Sequence, residues 1–485
     1  MSKLKNIIKQ LSVSDYTAIF DSLIESNAEK SAFLLKFMRE KQLSDNKIMD
    51  ELAVNSNAYY TLRSRLNQKI EEHLLQQMET PRITLVKKVA TINEIIFTKK
   101  KAISIATLKK LEKELMDYDL SSELTIIYKN LKKLHLGTPD YFNYSQLYNK
   151  HIAYMLAVDK SEEMVAQYFH KYGEYILSND PIDFQSLELL RNEIFNVGRL
   201  YTSHRLYVYQ SCVDVFKRIF IDKQTNKISE DEDEESIETI FEKVQGIFDL
   251  YYLDATYFHL KPVFEYLKFE YYFRSATHKH NETAFDEVNE SVASLLTNYG
   301  LYTFPPQFLL SKLKKEIATP SEKEVYEENK KLFEDFEVDK NNISQYVIYT
   351  LYRSICCYNI GKYDEAARWI NNMLNEQSLK KIPFILLEVK MFMALQYCLM
   401  NDMELFNQLT NSIQRQVRLL GKEKCNHITI YTKIFKASIN KAKKGKAVKI
   451  SSLVSKLIEE KPSYFSPFNF IRLDETFVKR LSKEV

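Results

Sequence analysis

The feature that most constrains this 485-residue chain is how little backbone freedom it carries, with only eight glycines and ten prolines. Together they make up 18 of 485 residues, under 4%, against an ordinary sum of roughly 12%. Tight strand hairpins and phosphate-cradling loops need positive φ, which glycine supplies without steric cost. A chain this poor in glycine lacks the turns of an all-β or doubly wound fold, so helix is the default. Hydrophobic residues make up 45% and aromatics 13%, with 32 Tyr and 29 Phe. That is enough to bury a large core and excludes disorder in bulk.

The five cysteines, Cys212, Cys356, Cys357, Cys398 and Cys425, are odd in number and show no CxxC spacing. This argues against a disulfide framework and a structural zinc site, and points to a reduced compartment. Charges interrupt every apolar run near the N-terminus, and no window reaches the roughly 18 uninterrupted apolar residues of a membrane span. The expectation is a cytoplasmic protein with no membrane partner. A formal net charge of +3 hides an uneven distribution. Residues 55 to 111 carry eleven Lys or Arg against four Glu, a local +7, and residues 421 to 449 carry nine Lys against one Glu, a local +8. The run from Glu230 to Glu235 is wholly acidic.

Helical periodicity is clearest in the stripe Ile343, Val347, Leu351, Ser354 and Tyr358, followed after Gly361 by Tyr363, Ala366, Ile370 and Met373 or Leu374. Two such helices with so short a link must fold back as an antiparallel hairpin. The segment LYRSICCYNIGKYDEAARWINNML is similar to the tetratricopeptide repeat. That resemblance rests on Ser354 as the small residue of the first helix and on Gly361, Tyr363 and Ala366 opening the second. A second unit follows 40 residues on, with Ala394, Asn401 and Phe406 in the corresponding places. An earlier pair places Ala153 and Val165 twelve apart, with Lys160 at the turn. The resemblance covers 344 to 420, and periodicity extends it back to 140. Residues 186 to 220 and 247 to 275 read as further helices, and 282 to 300 as a helix closed by Gly300. Proline breaks at Pro139, Pro181, Pro305, Pro306, Pro320, Pro383, Pro462 and Pro467 mark corners.

The N-terminal part lacks repeat residues. A short helix from Asp45 to Leu52, a turn at Ala53 to Asn55 and a longer helix from Asn57 to Gln77 have the spacing of a helix-turn-helix. The segment SDNKIMDELAVNSNAYYTLRSRL loosely resembles that element in sigma-type and response-regulator DNA-binding regions, with Arg63 and Arg65 as the basic pair. If Tyr59, Leu62, Leu66, Ile70 and Leu74 form the apolar stripe, the opposite face is Asn57, Tyr60, Thr61, Ser64, Arg65 and Gln68. Those side chains suit base edges and phosphates. A cap on the helical array explains the same polar face. Lysines at 87, 88, 99 to 101, 109 and 110 would add non-specific phosphate attraction if they lay on the same side as Arg65.

The expected architecture is all-α, a TPR-like α-helical repeat superhelix (α-α solenoid) with a small N-terminal helix-turn-helix-like domain. Its parts are 1–115, 116–340 and 341–485. No GxGxxG, GxxxxGK[ST] or GxSxG motif is present, and no catalytic residue, metal site or cofactor is expected. His278 and His280 form an isolated H-x-H, and His151 and His170 read as lying on adjacent helices. The leading expectation is a non-enzymatic scaffold that takes a protein or peptide in its groove through Tyr349, Tyr352 and Arg353. The alternative is a regulator that couples DNA binding by residues 45 to 77 to sensing by the repeats.

Overall fold

The computed structural model describes residues 3–11, 13–41, 45–77, 81–222, 235–254, 256–274, 305–318, 322–332, 338–439, 445–460 and 465–482. Among these every regular element is a helix and there is no strand. The acidic run from 230 to 234, His278 and His280, the helix read at 282 to 300, Pro320, Pro462 and Lys441, Lys443 and Lys444 lie outside the described residues.

The chain divides into two compact units, Met1–Ile152 and Ala153–Val485. Apolar faces meet across both position 115 and position 340. Helices Lys101–Asp117 and Ser121–Leu134 straddle position 115 and share one core built from Leu108, Leu111, Leu115, Leu124, Ile127 and Tyr128. In the second unit one continuous core runs from Val158 to Leu481. Across position 340, helix Ile343–Asn359 is covered by helices Pro305–Ala318 and Glu322–Leu332.

The first unit holds two separate cores. One joins helices Lys3–Gln10, Val13–Glu25, Glu29–Lys36, Asp45–Glu51 and Ser56–Gln77 through Leu4, Ile8, Leu23, Leu35, Ile48, Tyr59, Leu66 and Ile70. The other gathers helices Pro81–Ala90, Ile92–Thr98, Lys101–Asp117 and Ser121–Leu134.

Helix Asp140–Ser178 runs unbroken for 39 residues. The turn expected at Lys160 is absent, and His151 and His170 stand on this one helix. Ala157, Val158, Ser161, Met164, Val165, Tyr168, Phe169 and Tyr172 keep a helical rhythm straight through the position. Lys160 also offers no relief from the steric penalty of left-handed backbone.

At the other end of the second unit three antiparallel hairpins follow one another: Ile343–Asn359 with Tyr363–Glu376, Pro383–Met400 with Met403–Leu420, and Asn426–Ile439 with Lys446–Glu459. Their reversals use left-handed residues. Gly361 has φ +82° and Gly445 φ +71°, while Asn401, which stands where the first hairpin has Gly361, has φ +63°. Asparagine tolerates this region better than other side chains do. Ser354, Ala366, Ala394 and Phe406 are all buried, so the second hairpin accommodates a phenylalanine where the first has alanine.

Replacing Asn401 with Ala should lower the stability of this unit by about 1 kcal/mol, and replacing it with Gly by less. Denaturant midpoints of the full chain and both variants test this, and equal midpoints for Ala and Gly would count against it.

Candidate functional site

The short helix Asp45–Glu51, the turn 52–55 and the helix Ser56–Gln77 follow one another at nearly the bounds read from the sequence. Ala53 at the turn has φ +48°, so an alanine does here what glycine does more readily. The Asn55 side chain accepts from the Ala58 amide at 2.9 Å and closes the open end of the helix. Tyr59, Leu66 and Ile70 are buried, with Leu62 and Leu74 packed beside them. The opposite face, Asn57, Tyr60, Thr61, Ser64, Arg65 and Gln68, is exposed at all six positions, and Tyr60 keeps 61% of its surface in solvent.

A group of charges fixes this helix to the rest of its unit. Asp45 accepts from Lys5 at 2.7 Å and from Arg63 at 3.3 Å. Arg63 lies over the rings of Tyr59 and Tyr60. It is therefore a structural cation, and Arg65 two residues on is the exposed one. Hydrogen bonding to Lys5, opposed by burial and reinforced by the charges of Lys5 and Arg63, holds the Asp45 carboxyl below its usual range. Burial, with Asp45 nearby, pushes the Tyr59 phenol up to about 12.

Arg65 and Lys69 also line a concavity of about 550 Å³ with Lys30, where helix Glu29–Lys36 begins. Three cations beside the start of a helix are an arrangement suited to phosphate, though Glu29 lies among them. Along the solvent face of Ser56–Gln77 the first turns are uncharged or basic, and Glu71 and Glu72 come later.

In the second unit the residues expected to meet a partner lie elsewhere. Tyr349 is 3% exposed and Tyr352 is 0% exposed, so neither faces an open groove. Helix Ile343–Asn359 is covered from several sides: by Tyr363–Glu376, by the two preceding helices and by the turn Pro467–Phe470. Arg353 is half-buried, its guanidinium 4.3 Å from the centre of the Trp369 ring. The pair Tyr352 and Arg353 is thus part of the packing.

Residues 465–482 contribute to this covering. The turn Pro467–Phe470 packs on helices Pro305–Ala318, Ile343–Asn359 and Pro383–Met400. The Phe468 ring stacks on Tyr431 at 3.9 Å and meets Phe392 edge-on at 5.6 Å. Beneath it, the Glu388 carboxylate is 0% exposed. One of its oxygens lies 2.5 Å from His427 Nε2, and the other accepts from the Ser466 hydroxyl at 2.6 Å. Nothing in the spacing of Glu388, His427 and Ser466 advertised this cluster, because its members come from three separate segments. Another buried group, Asp214 held by Arg191 at 2.7 Å and Arg218 at 2.5 Å, was equally silent.

All five cysteines are buried. Among the described residues, no group of three His, Cys, Asp or Glu side chains is placed to hold a metal ion. Helix Pro383–Met400 is long and apolar enough to cross a membrane by length and composition, and most of it is buried inside the second unit. Comparison with protein-family models, curated proteins and solved structures finds no match to this chain.

The Asp45 cluster gives a pH dependence of definite sign. A carboxyl whose folded value lies below its unfolded value stabilises fully above the unfolded value, about 3.9, and loses that contribution as pH falls through the folded one. The protection factors of the amides in Asp45–Glu51, with the intrinsic pH dependence of exchange divided out, should therefore fall on acidification below about pH 4. Asp45→Asn should already exchange faster at neutral pH and show a flatter profile. Superimposable profiles would remove the assignment.

Proposed function

We propose that this chain is a non-enzymatic DNA-binding regulator. Its first unit engages duplex DNA through the helix Ser56–Gln77, and its second unit is a TPR-like helical-repeat array that takes a protein or peptide partner. The observation that carries the reading is the exposure of all six polar positions on one face of that helix, with the opposite face packed into the core. In a helix-turn-helix the early residues of the second helix reach base edges. Asn57, Tyr60, Thr61 and Ser64 occupy those turns. Arg65, Lys69 and Lys30 are suited to the flanking phosphates. The array reading is supported by three consecutive hairpins, by the left-handed residue at two matching turns, Gly361 and Asn401, and by the small residues Ser354, Ala366 and Ala394 in the interior.

A second reading is a pure interaction scaffold whose N-terminal unit serves as a cap. It is favoured by the acidic residues Asp50 and Glu51, exposed on the helix preceding the turn, where phosphates would be repelled.

A titration of the full chain with a mixed-sequence labelled duplex separates the two. DNA binding should weaken by orders of magnitude between about 50 and 200 mM salt if six or more phosphates are contacted. Arg65→Ala should lower affinity and reduce the slope of log K against log salt by about one. Absence of binding at low salt, or an affinity indifferent to salt, would leave the scaffold reading in place.

A further inference from the structure

We propose that the hollow where helices Val13–Glu25, Glu29–Lys36 and Ser56–Gln77 meet is a binding site for a small phosphorylated ligand, up to nucleotide size, bearing a terminal phosphate or diphosphate. The inference concerns the first unit alone and does not require that the chain bind DNA.

The turn that shapes the hollow is dictated locally. Asn27, with φ +57°, reverses the chain between the first two of these helices, and asparagine enters that region at less cost than other side chains. At the open end of Glu29–Lys36 stands Ala28, which has no side-chain oxygen to accept from the first-turn amides. An uncapped helix start carries partial positive charge. Packing of Leu23, Leu35, Leu66 and Ile70 in one core brings this end against the middle of Ser56–Gln77. There Leu62, Arg65 and Lys69 follow at steps of three and four, so they share one stripe of the helix.

Three observations point to a ligand. The hollow measures about 550 Å³, within the roughly 300–1,000 Å³ of small-molecule sites. Its cations, Lys30, Arg65 and Lys69, make no ion pair, side-chain hydrogen bond or ring contact among the described residues. Arg65 and Lys69 stand four apart on one helix, a spacing at which like charges destabilise it, and Lys69 is half-buried. A multiply charged anion offsets that repulsion. The third observation is Ser31, which lines the hollow at 6% exposure and whose hydroxyl has no hydrogen-bond partner among the described residues. A buried hydroxyl is ordinarily paired, and a phosphate oxygen supplies the missing acceptor.

Glu29 is the single carboxylate lining the hollow, so three cations against one anion leave a formal excess of two positive charges. It is exposed and is the first residue of its helix, where the dipole favours a carboxylate. Leu23 and Leu62 give the hollow an apolar wall for the rest of the ligand. Phosphate can come from a free molecule or from a nucleic-acid backbone. A backbone phosphodiester carries a single charge, whereas a terminal phosphate carries roughly two at neutral pH and matches the excess.

Calorimetric titration of the full chain with pyrophosphate, ADP and adenosine at about 150 mM salt tests the site. Pyrophosphate and ADP should bind saturably with one site per chain, and adenosine should not bind. Arg65→Ala and Lys69→Met should each weaken binding about tenfold, and Ser31→Ala about fivefold, with circular dichroism unchanged. Lys47→Ala, which removes an exposed lysine of the same unit outside the hollow, should leave it unaltered. The proposal is overturned if neither pyrophosphate nor ADP binds, if adenosine binds as well as ADP, or if Lys47→Ala weakens binding as much as the hollow variants do. Loss of duplex affinity in Arg65→Ala and Lys69→Met without any binding of the two small phosphates would also overturn it, and would assign the hollow to the DNA backbone. Binding of pyrophosphate and ADP by a chain that ignores duplex removes the DNA reading and upholds this one.

Discussion

A helix with no polar side has to be surrounded, and the second unit is organised around one. Helix Pro383–Met400 buries Ile385, Leu387, Val389, Met391, Phe392, Ala394, Leu395 and Cys398, which together point in every direction around the axis. No single neighbour can cover such a surface. Helices Tyr363–Glu376, Met403–Leu420 and Asn426–Ile439 take three sides, and the turn Pro467–Phe470 takes another. The one carboxylate inside this casing, Glu388, must find donors within it, because an unpaired buried charge is far more costly than a paired one. His427 and Ser466 supply them from two different covering segments. Apolar coverage and the placement of the buried polar cluster therefore follow from the same constraint.

The helical class was legible because it depends on composition and local rhythm alone. The hairpin turns were legible for a related reason: Gly361 and Asn401 are residues that enter left-handed backbone, and both do so. What misled was an assumption that each helix has one covered face. Tyr349 and Tyr352 fall between the stripe positions and so read as groove residues, yet helix Ile343–Asn359 is enclosed on more sides than one. The same limit hid the continuity of Asp140–Ser178, where a spacing of twelve between small residues suggested a turn that the unbroken apolar rhythm does not permit.

The N-terminal element was read more faithfully because its second helix is covered on one side only. A simple alternation of buried and exposed turns then gives the correct face, and all six exposed positions follow from it. The ties that hold the helix in place were not legible. Lys5, Asp45 and Arg63 are far apart in sequence, and any lysine or arginine nearby would have read equally well as a solvated charge. The distinction between Arg63, tied to the fold, and Arg65, left in solvent, is one of position on the helix rather than residue type.

Residues 465–482 are translated after every helix they cover. Until they emerge from the ribosome, Phe392 and Tyr431 lack the ring that stacks on them, and Glu388 lacks one of its donors. A product cut short by a premature stop before Phe468 would carry an uncovered aromatic surface of the kind that invites chaperone capture and aggregation. The fold thereby makes the integrity of its own message part of its quality control.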